Sequence, residues 1–415
     1  MNDAIKEKAN YCLNCKTKPC TKGCPLGNNI PEFIKFVKEE KYEKAFEILL
    51  DTTILMPICG RICPHKKQCQ GSCVRGIKGE PVSIGELEAF VGNMALKDNY
   101  SLKVDNLNGK KVAVIGGGPS GISAAYFLRK KGFEVTIFEK YNYLGGLLYH
   151  GIPEFRLDKD LLEKWINKVL SIGINVKYNM ELGKNLDLEQ LQKEYDAILL
   201  CFGANISSKM NIPGEDLEGV YGGNELLEYR LYPDYVGKKV AVIGGGNVAM
   251  DTARTIKRLG AEEVTIIYRR SKEQMPAEKK EVKDSEKEGI NFLFQTNLKR
   301  ILSNSNKVQK IECIKTNLVK KDGEDRLVPE DIQNSEFTMD MDFCVLAVGS
   351  KPEEKIVSNL GLEVTKRGYI IVDENYETSK KNVFAAGDII GEKQTVAWAA
   401  KCGRDSAKKI IEKLI

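Results

Sequence analysis

The chain has 415 residues, of which 42% are hydrophobic and 29% charged, with a formal net charge of +5. At roughly 150 residues per domain this leaves room for about three domains, and the nearly balanced charge, without a long basic run, argues against a nucleic-acid partner. No apolar run approaches the roughly 18 residues of a membrane helix, and the polar start MNDAIKEKAN carries no secretory signal, so a cytoplasmic location is expected.

The chain opens on cysteine. Eight of its 12 Cys precede residue 75, as Cys12, Cys15, Cys20 and Cys24, then Cys59, Cys63, Cys69 and Cys73. A disulfide framework suits small secreted domains rather than a chain of this size. Structural zinc favours CxxC pairs. Iron–sulfur clusters take thiolates at short spacings, often closing on Cys-Pro. The first group reads C-x2-C-x4-C-x3-C-P, ending at Pro25, which looks more like cluster ligation than a zinc clip. Residues 31–50 and 84–97 then show apolar residues at helical spacing. In the second stretch Ile84, Leu87, Val91 and Met94 form one face, and Glu88 points toward it. An inward carboxylate needs a partner: a salt bridge, an edge position, or a metal taking it as an oxygen ligand.

From residue 105 strands and helices alternate. GKKVAVIGGG occurs at 109–118 and again, letter for letter, at 237–246. Each copy ends an apolar strand, opens a helix and leads to a second strand, the pattern of a dinucleotide-binding βαβ unit. Gly116 makes the tight turn, Gly118 admits a pyrophosphate, and Gly121 allows close helix–strand packing. The corresponding positions in the second copy are Gly244, Gly246 and Ala249. The phosphates are expected on the helix N-terminus. The first copy's second strand ends at Glu139, an acceptor for ribose hydroxyls, which suits FAD. The second copy's ends at Tyr268, followed by Arg269 and Arg270. With no acid to repel a 2′-phosphate and two guanidiniums to bind one, it suits NADPH better than NADH.

Two strand-then-Gly segments, LLCFGA at 199–204 and VLAVGSKPE at 345–353 (with Gly349), mark crossings between the two nucleotide regions. Near the end an apolar strand stops at Gly387-Asp388, where Asp388 is placed to hydrogen-bond a flavin's ribityl or pyrophosphate. Thr395 to Ile411 reads as a helix. Cys201, Cys313, Cys344 and Cys402 are isolated, so no redox CxxC pair is expected, and neither His65 nor His150 is marked as a general acid or base.

The motifs YCLNCKTKPCTKGCPLGNNIPEFI, GGLLYHGIPEFRLDKDLL, YRRSKEQMPA and FAAGDIIG, with both GKKVAVIGGG turns, resemble the glutamate synthase small (β) subunit family over nearly the whole chain. That family is related to the N-terminal half of dihydropyrimidine dehydrogenase and to the larger subunit of NADH-dependent ferredoxin:NADP oxidoreductase. The resemblance implies an α/β fold: a helical domain with two [4Fe–4S] clusters (1–104), then an FAD domain (105–205 and 351–415) interrupted by an NAD(P)H domain (206–350). It implies one cluster on Cys12, Cys15, Cys20 and Cys73, and the other on Cys24, Cys63, Cys69 and Glu88, with Cys59 either left over or replacing Glu88. It also places Gly146, Arg156 and Thr395 at the cofactor.

The expected chemistry is oxidation of NAD(P)H, with electrons passed through FAD and the clusters to a partner. No terminal active site is recognisable, so a catalytic partner subunit or a ferredoxin-type acceptor is expected, in a hetero-oligomer. Glutamate synthase small-subunit type leads. A ferredoxin-coupled or electron-bifurcating oxidoreductase, the input subunit of a dihydropyrimidine dehydrogenase, and a zinc-stapled NAD(P)H sensor are the alternatives.

Overall fold

A computed structural model describes residues 2–321, 323 and 326–415. The chain divides into two compact units, one holding residues up to Tyr149, Glu154–Ala204 and Pro352–Ile415, the other His150–Pro153 and Asn205–Lys351.

The first unit starts with six helices: α1 (Asn2–Asn10), α2 (Pro19–Gly23), α3 (Ile30–Lys38), α4 (Tyr42–Leu50), α5 (Met56–Ile62) and α6 (Ile84–Lys97). The apolar stretch 31–50 forms two helices, not one, because the chain turns between them with Glu40 at φ 59°. In α3, Ile30, Phe33, Ile34 and Val37 are buried at the spacing of one helical face. Gly60 lets α5 and α6 meet: a Cβ there would stand 2.5 Å from the Ala89 nitrogen. That approach brings Cys59 of α5, and Cys63 at its end, to the helix bearing Glu88.

A five-stranded parallel sheet follows. Its elements are β1 (Lys111–Ile115), α7 (Pro119–Lys130), β2 (Glu134–Phe138), α8 (Lys159–Leu170), β3 (Asn175–Lys177), α9 (Leu188–Glu194) and β4 (Ala197–Leu200). The order is β16-β4-β1-β2-β3, where β16 is Val383–Ala385 from the end of the chain. Residues 1–104 pack into this same unit. Fully buried Trp165 of α8 fastens them, its indole donating to the Ile54 carbonyl at 2.7 Å.

The second unit repeats the theme. It contains β5 (Ile206–Ser207), β6 (Val220–Gly222), α10 (Gly223–Tyr229), β7 (Lys239–Ile243), α11 (Asn247–Arg258), β8 (Glu263–Tyr268), α12 (Lys279–Lys287), β9 (Asn291–Phe294) and β14 (Phe343–Leu346). Its parallel sheet runs β6-β14-β7-β8-β9. Between β9 and β14 lies an antiparallel sheet that the motifs did not announce: β10 (Thr296–Asn304), β11 (Lys307–Val319), β12 (Val328–Asp331) and β13 (Phe337–Asp340). β15 (Ser350–Lys351) pairs with β5. The chain then returns through α13 (Glu354–Asn359) and β16 to α14 (Val396–Leu414), capped by Thr395. No helix among the described residues is long and apolar enough to cross a membrane.

Candidate cofactor and cluster sites

Each Gly-rich turn joins a strand to a helix. Gly116 has φ 103°, and a Cβ there would stand 2.6 Å from the Cys201 carbonyl oxygen at the end of β4. Gly244 has φ 144°, with the Ala347 carbonyl oxygen 2.2 Å from its would-be Cβ. Both turns press on a neighbouring strand end and have no room for a side chain. The next position differs in kind. A Cβ on Gly246 would meet nothing within 4 Å, and one on Gly118 only the Gly146 Cα at 3.9 Å. Both face open space at the first turn of a long helix, α7 or α11, where unpaired N–H groups favour an anion. A Cβ on Gly121 would fall 2.0 Å from the Gly116 carbonyl oxygen, while Ala249 is fully buried.

The strand ends diverge as their sequences do. Glu139 is buried, and its carboxylate accepts from the Gly117 N–H at 2.8 Å and the Tyr141 N–H at 3.0 Å. Burial raises its pKa, against those hydrogen bonds. In the second copy the Tyr268 ring covers Gly245, and its hydroxyl donates to the Gln274 carbonyl at 3.0 Å. Arg269 is exposed, and the Nε of half-buried Arg270 donates to the Leu327 carbonyl at 2.9 Å.

Gly387 has φ 84° and lies against Ser120 in the first turn of α7, so the end of β16 meets the first Gly-rich turn. Burial alone pushes the Asp388 carboxyl up to about 6. Gly146 also abuts this turn, through Gly118. Arg156 is half-buried in the same unit, and Gly349 belongs to the other, beside Ser208. At Thr395 the side chain accepts from the Trp398 N–H at 3.4 Å.

The cysteines separate into two groups. Cys12, Cys15, Cys20 and Cys73 line one apolar cavity with Leu13, Val74 and neighbours. Of these only Cys20 is fully buried, and Leu13 and Ile77 nearby are 52% and 76% exposed. Burial pushes the Cys20 thiol up to about 11, reinforced by Cys12 and Cys73. In the second group Cys59, Cys69 and Glu88 are buried, and Cys24 and Cys63 are half-buried. Cys24, Cys63 and Cys69 lie close enough to Glu88 to feel its charge, and Cys59 lies among them, beside Cys63. Burial pushes Cys24 to about 12 and Glu88 to about 8.

Such a donor set fits a metal cluster. Thiols and a carboxyl are grouped with little water around them, and their anionic forms are disfavoured for want of positive charge, which a metal core supplies. Among the described residues no three or more His, Cys, Asp or Glu side chains converge on a single-ion site. His65, between Cys63 and Cys69, has a buried Nε2 without a partner, and burial lowers its pKa.

Three supporting residues escaped sequence reasoning. Glu88 Oε1 accepts from the Asn28 side-chain nitrogen at 3.1 Å, and Asn28 Oδ1 accepts from the Thr52 hydroxyl at 2.7 Å. Arg404 Nη1 donates to the carbonyls of Leu26 at 2.6 Å and Thr52 at 3.1 Å. The only sequence signal was a lone Arg amid the small and apolar residues of the last helix.

Comparison with known proteins gives the family. Residues 110–404 match the family described as pyridine nucleotide-disulphide oxidoreductase, and residues 1–100 match dihydropyrimidine dehydrogenase domain II, 4Fe-4S cluster. Mycobacterium tuberculosis FprA in complex with NADPH superposes with a TM-score of 0.65 at 22% identity, over 74% of this chain and 84% of that one, a likeness of fold. The chain is thus an NAD(P)H-dependent FAD oxidoreductase carrying an iron–sulfur domain. The Azospirillum brasilense glutamate synthase [NADPH] small chain is 33% identical over 99% of this chain and 89% of that one, and the protein belongs to this small-chain family. The NADP(+)-dependent formate dehydrogenase subunit beta of Moorella thermoacetica is 37% identical over 95% of this chain, which spans only 59% of that subunit.

Proposed function

We propose that the chain is the electron-input subunit of a glutamate-synthase-type assembly, taking electrons from NADPH and delivering them to a partner chain that holds the substrate chemistry. When bound, FAD supplies the exchange of a hydride for single electrons, and two [4Fe–4S] clusters supply one-electron relay. The chain's residues bind and orient these groups. Gly118 and the first turn of α7 receive the FAD pyrophosphate, with Gly121 packing the helix close. Glu139 takes the ribose, and Gly146, Arg156, Gly387, Asp388 and Thr395 surround the remainder. Gly246 and the first turn of α11 receive the NADPH pyrophosphate, Gly349 closes the same unit's turn, and Arg269 and Arg270 take the 2′-phosphate. Cys12, Cys15, Cys20 and Cys73 hold one cluster; Cys24, Cys63, Cys69 and Glu88 hold the other.

The observation that carries this reading is the split of the ligands into a deep group and a group lining a cavity with exposed apolar neighbours. With the cofactors bound, the deep group would hold a shielded relay and the cavity-lining group one near the surface, where a partner could dock. The identity to the formate dehydrogenase subunit favours a second reading, in which the same chemistry serves a different oxidoreductase partner. An anaerobic NADPH titration followed by visible spectrum tests the shared core. Bleaching of flavin and of the broad iron–sulfur absorbance, beyond one hydride equivalent, is expected. Bleaching of flavin alone, with zinc on metal analysis, overturns it. Reconstitution with a glutamate synthase large subunit then separates the two readings.

A further inference from the structure

α14 carries a buried cation that nucleotide binding leaves unexplained. Arg404 is 7% exposed, about two turns into the helix. Burying a guanidinium costs several kcal/mol unless its donors find partners. Nε donates to Asp405 Oδ1 at 2.8 Å. Nη1 leaves the helix altogether and reaches the carbonyls of Leu26 and Thr52.

Those two carbonyls are not arbitrary. Leu26 stands two residues beyond Cys24, across Pro25. Thr52 orients Asn28, and Asn28 holds one oxygen of Glu88, leaving the other to face elsewhere. In the first turn of the same helix, the Ala397 N–H lies near enough to the Cys63 thiol to favour its ionised form. One helix therefore reaches three of the four residues of the deep group, directly or through short hydrogen-bonded chains. Its other side clamps the first Gly-rich turn: the Ser123 hydroxyl of α7 donates to the Ala400 carbonyl at 2.9 Å, and Gly403 leaves no room for a Cβ against the Ser120 carbonyl.

We propose that α14 is the outer shell of the deep cluster site and that Arg404 is its positioning residue, holding Cys24, Cys63 and Glu88 in register with the FAD-binding turn. The inference rests on the cluster and FAD assignments made above. Outer-shell partners of metal ligands typically alter affinity or activity by about 10- to 100-fold when removed. Hydride transfer from NADPH to flavin uses none of these contacts. The effect should therefore fall on the transfer of electrons from the flavin to the deep cluster.

Arg404→Met and Arg404→Lys are mixed with NADPH anaerobically in a stopped-flow instrument, and the flavin and iron–sulfur absorbances are followed separately. Iron, sulfide, FAD content and the midpoint potential of each cluster are measured alongside. Arg404→Met is expected to bleach flavin within twofold of wild type, to slow cluster bleaching by ~10- to 100-fold, and to shift the potential of one cluster only. Arg404→Lys, whose ammonium can keep one carbonyl, should recover part of the rate. A lowered melting temperature with an unchanged ratio of the two rates means a purely structural strut and overturns the proposal. If Arg404→Met does not fold, wild-type rates and potentials in Arg404→Lys overturn it. Wild-type protein without iron would instead remove the cluster assignment, a separate failure visible before any variant is made.

Discussion

Neighbouring glycines of the second turn should fail in opposite ways when each is given one methyl group. Gly246 has φ −91° and ψ 179°, an ordinary extended backbone, and its would-be Cβ meets nothing within 4 Å. Gly246→Ala should therefore leave stability within about 0.5 kcal/mol or raise it slightly, since alanine restricts the unfolded chain. Its methyl projects into the space that a pyrophosphate would fill. Charge-assisted hydrogen bonds are worth about 1.5–3 kcal/mol each, so displacing the phosphate from one N–H should weaken NADPH about 10- to 150-fold. Gly244→Ala is the reverse case. At φ 144° the backbone strain is about 1–3 kcal/mol, and the methyl would lie 2.2 Å from the Ala347 carbonyl oxygen. Destabilisation of more than about 3 kcal/mol is expected from strain and displaced backbone together. The assay is thermal melting of the FAD-loaded protein, with calorimetric titration of NADP+ for whatever remains folded. A Gly246→Ala variant that binds NADP+ like wild type, or a Gly244→Ala variant that melts like it, refutes the reasoning.

Other perturbations report on the remaining groups. Arg270→Ala should weaken NADPH about 10- to 150-fold and leave NADH unchanged; equal losses for both nucleotides in steady-state kinetics would sink the 2′-phosphate assignment. Glu88→Ala should lower iron content and abolish one cluster's electron paramagnetic resonance signal, while Cys59→Ser keeps both signals. The opposite pattern transfers the ligand role to Cys59. Asp388 sets a pH dependence in the FAD-free protein. Its folded pKa, about 6, lies above the ordinary 3.8, so the fold prefers the protonated acid. The ionised form then destabilises progressively as pH rises from about 4 to about 6, by up to about 3 kcal/mol. Asp388→Asn should equal wild type in stability near pH 4, exceed it at pH 7, and retain less FAD. A stability difference that does not change with pH in paired denaturant titrations contradicts this.

What the sequence disclosed is what short chain segments determine. A turn that must expose backbone N–H groups needs glycine at fixed offsets, so the repeated decapeptide locates both turns. Helical spacing sufficed to turn Glu88 inward, and it is 5% exposed. Cooperation between distant segments was not legible. Arg404 meets Leu26 across 378 residues of chain, and its small and apolar neighbours in the helix do not say which carbonyls it reaches. The turn at Glu40 was hidden because both flanking helices share a continuous apolar rhythm. The antiparallel sheet β10–β13 was masked by charge: β11, KVQKIECIKTNLV, alternates lysines with buried Val308, Ile311, Cys313, Ile314 and Thr316, a strand signal diluted by its polar face.

On the proposed assignment of the two turns, little sequence is needed to change a ligand once the backbone is set. Both copies place a strand, a glycine facing open space and a helix start in the same arrangement. Discrimination then falls to the tip of the second strand, which stands over the middle glycine of the turn. In the first copy the tip is a carboxylate held by two backbone N–H groups. It can accept from ribose hydroxyls but would repel a phosphate on the same sugar. In the second copy a tyrosine fills that volume, and Arg326 Nη2 donates to its hydroxyl at 3.0 Å. The surroundings are thereby cationic rather than anionic, with Arg269 and Arg270 next in sequence. A dianionic 2′-phosphate is thus disfavoured at one turn and favoured at the other by charge alone, before any detail of fit. Under the proposed assignment, two copies of one motif would in this way sort a resident flavin nucleotide from a phosphorylated nicotinamide donor within a single chain.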